Sequence, residues 1–119
     1  MKGVTLHFDT RPEWIDVIRE WAASDDRISQ VWVFGSRATG RRSAKPNASP
    51  VPDLDIGYVL SGTSEGDRLA YDICMRHQWR ELLAERIAVT IDLQYADKDI
   101  DRIVWPAIED HGVLVFSRA

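Results

Sequence analysis

The spacing of apolar residues changes between helical and strand-like periods along the chain, and each change marks a predicted element. A first helix is predicted after Thr10, an N-cap with Glu13 as its reciprocal partner, and it ends at residues 24–26. The apolar face of this helix consists of Trp14, Val17, Ile18 and Trp21. The continuous apolar run at residues 31–34 then predicts a strand covered on both faces, which stops at Gly35.

Three further strands are predicted downstream, at residues 53–60, 88–95 and 113–116. The chain therefore reads helix, strand, turn or short helix, strand, helix, strand, helix, strand. This order predicts an α+β fold of α/β-like character, with a mixed sheet of about four strands flanked by helices. No linker or internal repeat divides the 119 residues, so we expect one domain over residues 1–119.

Two helical stretches are predicted between these later strands. The first is long, begins at the N-cap Ser64 and runs to about residue 86. Its predicted apolar side consists of Leu69, Ile73, Leu82, Leu83 and Ile87. The only cysteine, Cys74, lies within this helix and is expected to fill a small space in the core. The second stretch is broken, either interrupted or restarted at Pro106, and is expected to stop at Gly112 in the left-handed conformation.

Composition and charge exclude several classes of function. The net charge of −4 argues against broad, sequence-independent binding of nucleic acid, which requires a basic surface. No segment has the length and apolar character of a signal peptide or a membrane span, so a cytoplasmic location without membrane attachment is expected. The histidines His7, His77 and His111 fit no metal motif and are expected at the surface or as helix C-terminal charges.

One basic segment departs from this acidic balance. Arg37, Arg41, Arg42 and Lys45 fall within nine residues that contain no acid. Such runs usually form solvated loops. Because this one directly follows a candidate phosphate turn at Gly35, we expect it to contribute to triphosphate binding.

Three aspartates at strand positions point to a chemistry. Asp53 and Asp55 are two residues apart and therefore face the same side of their strand, while Asp92 comes from another strand. Carboxylate oxygens are the ligands that magnesium prefers, and two ions about 3.5–4 Å apart can clamp the attacking and leaving oxygens of a phosphoryl transfer. Gly35 lets the backbone approach a phosphate, and Ser36 offers a hydroxyl beside exposed amides. Together these residues predict a two-metal nucleotidyl-transfer site in which Asp92 takes the acceptor proton.

Two other phosphate or nucleophile motifs fit the same residues poorly. Gly35 and Gly40 have the spacing of a P-loop, but Arg41 and Arg42 stand where that motif needs Lys and then Ser or Thr. A nucleophile elbow fails as well, because Ser36 follows its glycine immediately and no second glycine is correctly spaced.

Four stretches of sequence carry a resemblance to a known family: VFGSRATG, PDLDIGYVL, VTIDLQY and EDHGVLVF. With them the chain resembles the minimal nucleotidyltransferases (MNT) of the DNA polymerase beta-like superfamily, as found in HEPN/MNT toxin–antitoxin pairs. The resemblance implies a polymerase-beta-type fold with nucleotide-binding residues at Gly35, Ser36 and Arg37. It also implies metal-binding and catalytic carboxylates at Asp53, Asp55 and Asp92.

The resemblance further implies an activity and its partners. The chain would transfer AMP from ATP to a hydroxyl on a HEPN-family protein, with two Mg²⁺ ions or with Mn²⁺, and would act as that protein's antitoxin. One departure concerns the acceptor side: sixteen residues separate Ser36 from Asp53, more than such proteins usually have, with the excess in residues 45–52.

Two rival functions remain open on the sequence alone. The chain could neutralise a partner by contact, with the acids as a remnant. Alternatively, it could modify a small molecule, as aminoglycoside nucleotidyltransferases do. That function normally needs more chain for the acceptor pocket, although a homo-oligomer such as a dimer could build one between subunits.

Overall fold

The computed structural model describes residues 11–39 and 53–118, and all structural statements refer to these. The first half of the chain forms α1 (Pro12–Ala23), β1 (Ile28–Phe34), α2 (Ser36–Thr39) and β2 (Leu54–Leu60). The second half forms α3 (Glu65–Ala84), β3 (Ile91–Tyr95), α4 (Val104–His111) and β4 (Val113–Ser117). The predicted order of elements is confirmed, although β1 begins before the predicted residue 31 and β3 begins after the predicted residue 88.

The strands of the described residues form one mixed sheet in the order β3-β2-β1-β4. β1 runs antiparallel to both β2 and β4, whereas β2 and β3 are parallel. A parallel pair needs a crossover connection, which α3 provides. The predicted fold class, a four-stranded mixed sheet flanked by helices, is confirmed.

The two faces of the sheet are covered differently. On one face Tyr58 of β2 makes edge-to-face contacts with Trp21 of α1 and Trp79 of α3, so both long helices lie there. On the opposite face a Cβ at Gly57 would lie 2.6 Å from Cδ1 of Ile108, so α4 packs closely over the middle of β2. Side chains alternate along a strand, and Asp55 therefore shares the α4 face with Gly57.

The apolar side predicted for α3 is wrong in part. Leu69, Ile73 and Leu82 are 45%, 70% and 41% exposed. The side that faces the sheet contains Asp72, Trp79 and Leu83. The physical reason is a buried polar network: the Tyr58 hydroxyl and the Arg76 guanidinium both donate to Asp72, which turns this side of the helix inward. Cys74 is exposed as a consequence, so its predicted core position is also wrong.

Helix ends differ from their predictions in two places. The N-cap of α1 is Arg11, without a side-chain capping bond, and the predicted cap Thr10 lies outside the described residues. Gly112 ends α4 as predicted, but with φ −68° and ψ 148° rather than in the left-handed region. Glycine is needed there because a Cβ would lie 2.7 Å from the carbonyl oxygen of Ile108. The predicted Ser64 cap is confirmed, since its hydroxyl accepts the Asp67 N–H.

None of the helices in the described ranges has the length and apolar composition that crossing a bilayer would require.

Candidate functional site

The candidate site lies where β1 ends and where β2 and β3 begin. Asp55 of β2 pairs in register with Asp92 of β3 on one side and with Phe34 of β1 on the other. Paired residues of neighbouring strands project from the same face of a sheet, so Asp55 and Asp92 stand side by side on the α4 face. Asp53 directly precedes β2 and is exposed.

Gly35 brings the turn after β1 against this acidic pair. Its φ is +73°, a conformation that side chains rarely adopt. A Cβ on Gly35 would overlap Oδ2 of Asp55, so the carboxylate packs directly on the glycine α-carbon. The turn and the acids are thus parts of one surface, and glycine is the residue type that this contact permits.

The three carboxylates influence one another electrostatically. Burial, the negative charge of Asp92, a hydrogen bond shared with Asp92 and the charge of Asp53 together raise the pKa of Asp55 to about 7, with burial the largest cause. A carboxyl group that resists ionisation for these reasons is poised to bind a cation, since a positive charge would relieve both the repulsion and the burial cost.

The donor set suits a hard divalent cation in its chemistry, because it consists of carboxylate oxygens. In the described residues, however, no three acidic, histidine or cysteine side chains come together as a ready-made ligand set. Asp55 and Asp92 form the close pair, and Asp53 acts on Asp55 through its charge.

Gln94 is a site residue to which the sequence prediction assigned no role. Its side-chain amide donates to Oδ1 of Asp92 over 2.6 Å. The two residues lie two positions apart on β3, so they share a face, and the bond orients the Asp92 carboxylate. The alternation of the third strand was the signal that could have identified it.

The residues after Gly35 form the short helix α2. Ser36 is its first residue, and the Ala38 N–H donates to the Gly35 carbonyl over 3.1 Å. Arg37 is only 6% exposed, and its guanidinium lies 5.0 Å from the ring centroid of Trp14 in α1. The positive charge thus lies against α1. The other basic residues of the predicted cluster, at 41, 42 and 45, lie outside the described residues.

His111 was also missed by the sequence prediction. The Gly35 N–H donates to Nε2 of His111 over 2.9 Å, across 76 positions of sequence. His111 is the last residue of α4, and its imidazole reaches the turn because α4 crosses the sheet toward the end of β1. No local sequence pattern predicts this contact, because it depends on where α4 packs on the sheet.

The fold is similar to that of several solved toxin–antitoxin complexes. The chain matches a chain of the MntA–HpeT toxin–antitoxin, in a mutant form, with TM-score 0.61 and 14% identity, covering 87% of this chain and 73% of that one. A toxin–antitoxin with AMP-PNP matches with TM-score 0.60 and 16% identity, covering 87% of this chain and 73% of that one. A complex of tri-AMPylated Shewanella oneidensis HEPN toxin with MNT antitoxin matches with TM-score 0.58 and 15% identity, covering 89% of this chain and 71% of that one.

Sequence comparisons add nothing to this likeness: no protein-family model matches the chain, and no curated protein matches it. The structural likeness shows that the chain has the nucleotidyltransferase fold found in these complexes. At these identities it shows the fold alone, and the chemistry has to be argued from the site.

Proposed function

We propose that this chain is a metal-dependent nucleotidyltransferase that transfers AMP from ATP to a hydroxyl group and releases pyrophosphate. The observation that supports this most strongly is the contact of the Asp55 carboxylate with Gly35 on one side and Asp92 on the other. It joins a turn that a phosphate can approach to a pair of neighbouring carboxylates.

Each acid has a proposed role. Asp53 and Asp55 would hold a divalent cation at the triphosphate, and Asp55 with Asp92 would hold a second one. Mg²⁺ or Mn²⁺ bound there would spread the negative charge of the phosphate oxygens. Asp92 would receive the proton of the acceptor hydroxyl as its oxygen bonds to the α-phosphorus and the bond to pyrophosphate breaks. The Gln94 amide would keep one Asp92 oxygen engaged during this step.

The turn would bind the polyphosphate. Gly35 would let the backbone approach the β and γ phosphates, and Ser36 would present its hydroxyl and its backbone N–H to them. Arg37, whose guanidinium lies over the Trp14 ring, would add positive charge next to the turn in sequence. ATP as the donor is supported by the similarity to a complex that contains AMP-PNP.

The proposed acceptor is a hydroxyl on a partner protein of the HEPN family, for which this chain would be the antitoxin. Support comes from the likeness to a complex in which a HEPN toxin is tri-AMPylated. The chain would perform this function as one domain spanning residues 1–119.

Incubation of the protein with labelled ATP, Mg²⁺ and the product of the neighbouring gene tests the proposal. Label should transfer to the partner and should be lost in the double variant Asp53→Asn, Asp55→Asn. Asp16→Asn serves as a matched control because Asp16 is an exposed acid of α1, an element that supplies none of the proposed carboxylates. No transfer by a folded wild-type protein would contradict the proposal.

Neutralisation by contact alone is a second candidate. Leu69 and Ile73, one turn apart on α3 and 45% and 70% exposed, form an apolar strip that favours some protein contact. The same double variant separates the two: full neutralisation with a persistent complex would favour binding, whereas loss of neutralisation with a persistent complex would favour catalysis.

A further inference from the structure

We propose that His111 is a positioning residue, which holds the Gly35–Ser36 turn in the shape that receives the triphosphate by accepting the Gly35 N–H through Nε2. The inference rests on the proposed function, since it assigns this role to the same turn. It concerns a side chain from the far end of the chain, on an element that supplies none of the proposed carboxylates.

Besides the contact with Asp55, hydrogen bonds at Gly35 restrain the turn. It leaves β1 at a glycine with φ +73°, which lowers the barrier to other backbone conformations. Its carbonyl is held by the Ala38 N–H, within a helix of only four residues. The N–H of the same residue is held by His111. The orientation of the peptide between Phe34 and Gly35 therefore depends on the imidazole.

α4 is packed so that His111 arrives at a defined position. Ile108, one turn before His111, packs closely on Gly57: a Cβ on Gly57 would lie 2.6 Å from Cδ1 of Ile108. Immediately after His111, the Gly112 N–H donates to the Ile108 carbonyl over 2.7 Å. These two contacts determine where along the sheet α4 ends, and with it where the imidazole lies.

The tautomer follows from the hydrogen bonds. Because Nε2 accepts from Gly35, the ring proton of the neutral imidazole resides on Nδ1, which faces Oδ2 of Asp110 at 3.3 Å. The turn therefore requires a hydrogen-bond acceptor at the position of Nε2. A glutamine side chain can supply one from a similar reach through its carbonyl oxygen, whereas alanine cannot.

Comparison of His111→Ala with His111→Gln tests this requirement. The measurements are the Kd for Mg–AMP-PNP, and KM and kcat for transfer from Mg–ATP. The alanine variant should weaken nucleotide binding and raise KM about five- to tenfold, as expected for one lost hydrogen bond, while kcat at saturation stays within about twofold. The glutamine variant should restore both values. His77→Ala is the matched control, because His77 is exposed on α3 and pairs with Glu81.

A second measurement uses the nucleotide-free protein and needs no activity. In ¹⁵N-labelled protein, a scalar coupling across the hydrogen bond should join the Gly35 amide nitrogen to His111 Nε2, and the Gly35 amide should exchange slowly with solvent. The alanine variant should lose the coupling and the protection while its circular dichroism remains that of the wild type.

The outcomes separate this inference from the proposed function. If the wild type binds nucleotide but transfers nothing, the proposed function fails, and the Kd ratio of the variants still decides the role of His111. The positioning role would be overturned if His111→Ala kept the Kd and KM of the wild type. It would also be overturned if the alanine and glutamine variants were equally impaired. Absence of nucleotide binding by the wild-type chain would overturn both.

Discussion

The Asp55 carboxylate rests directly on the α-carbon of Gly35, in a space that a methyl group would fill. This contact sets the depth at which the acid lies beneath the turn. It also makes the turn sensitive to any side chain at position 35, because φ is +73° there.

Gly35→Ala should therefore destabilise the protein and abolish nucleotide binding. The left-handed backbone and the clash with Asp55 together should lower the free energy of unfolding by about 1–3 kcal/mol. Gly66→Ala is the control, because a Cβ at Gly66 in α3 meets nothing within 4 Å. That change should stabilise the protein by about 0.5–1 kcal/mol. Urea unfolding and calorimetric titration with Mg–AMP-PNP measure both effects; equal stability of the two alanine variants would contradict the prediction.

Asp55→Asn should make the metal-free protein more stable at neutral pH although it removes activity. The folded-state pKa of Asp55 is raised from 3.8 to about 7, so the folded protein binds this proton more tightly than the unfolded chain. Stability from this group is complete below pH 4 and is lost as the pH rises toward 7. After allowance for partial solvent exposure, the gain at pH 8 should be about 1 kcal/mol. Thermal unfolding between pH 4 and 8 tests it; parallel pH curves for both proteins would count against the raised pKa.

Magnesium should stabilise the wild type and leave Asp55→Asn nearly unchanged. A cation bound only by the folded state adds about 2.7 kcal/mol at a hundred times its Kd. It should also lower the pKa of Asp55, because it favours the ionised carboxylate. Thermal shift assays with and without Mg²⁺, and ¹³C titration of the aspartate carboxyl groups, follow the two effects. An equal thermal shift in both proteins would place the cation elsewhere.

Gln94→Leu should reduce kcat while leaving the affinity for Mg–ATP close to that of the wild type. The change removes the amide that donates to Oδ1 of Asp92, and the loss should be about five- to tenfold. Gln78→Leu, at an exposed position of α3, is the matched control. If both variants keep the wild-type kcat, the amide does not orient Asp92 for catalysis.

Cys74 should react with a thiol reagent in the native protein. Its side chain is exposed on α3, so labelling needs no unfolding. Native labelling at the rate seen in denaturant, followed by absorbance, is the expected result. A cysteine that reacts only after urea is added would restore the core position that the sequence predicted.

Several features were predictable because they depend on short-range periodicity. The order of elements and the alternation of the second and third strands follow from the spacing of apolar residues. Alternation also predicted that Asp92 faces away from Ile91 and Leu93, both of which are buried. The side of α3 that packs on the sheet was predicted wrongly, because Leu69 and Ile73 are apolar while the buried Asp72 is not. Only the partners Tyr58 and Arg76 make burial of that acid favourable.

The sequence by itself determined the mixed α+β architecture and placed three aspartates and a glycine turn at strand ends. Those properties are local, and each is encoded within a few residues. Tertiary structure alone decided that Asp55 lies in register with Asp92, that its carboxylate touches Gly35, and that His111 accepts the Gly35 N–H. These contacts join residues from 20 to 76 positions apart. They arise because strand pairing and helix packing bring distant segments together, which no local pattern records.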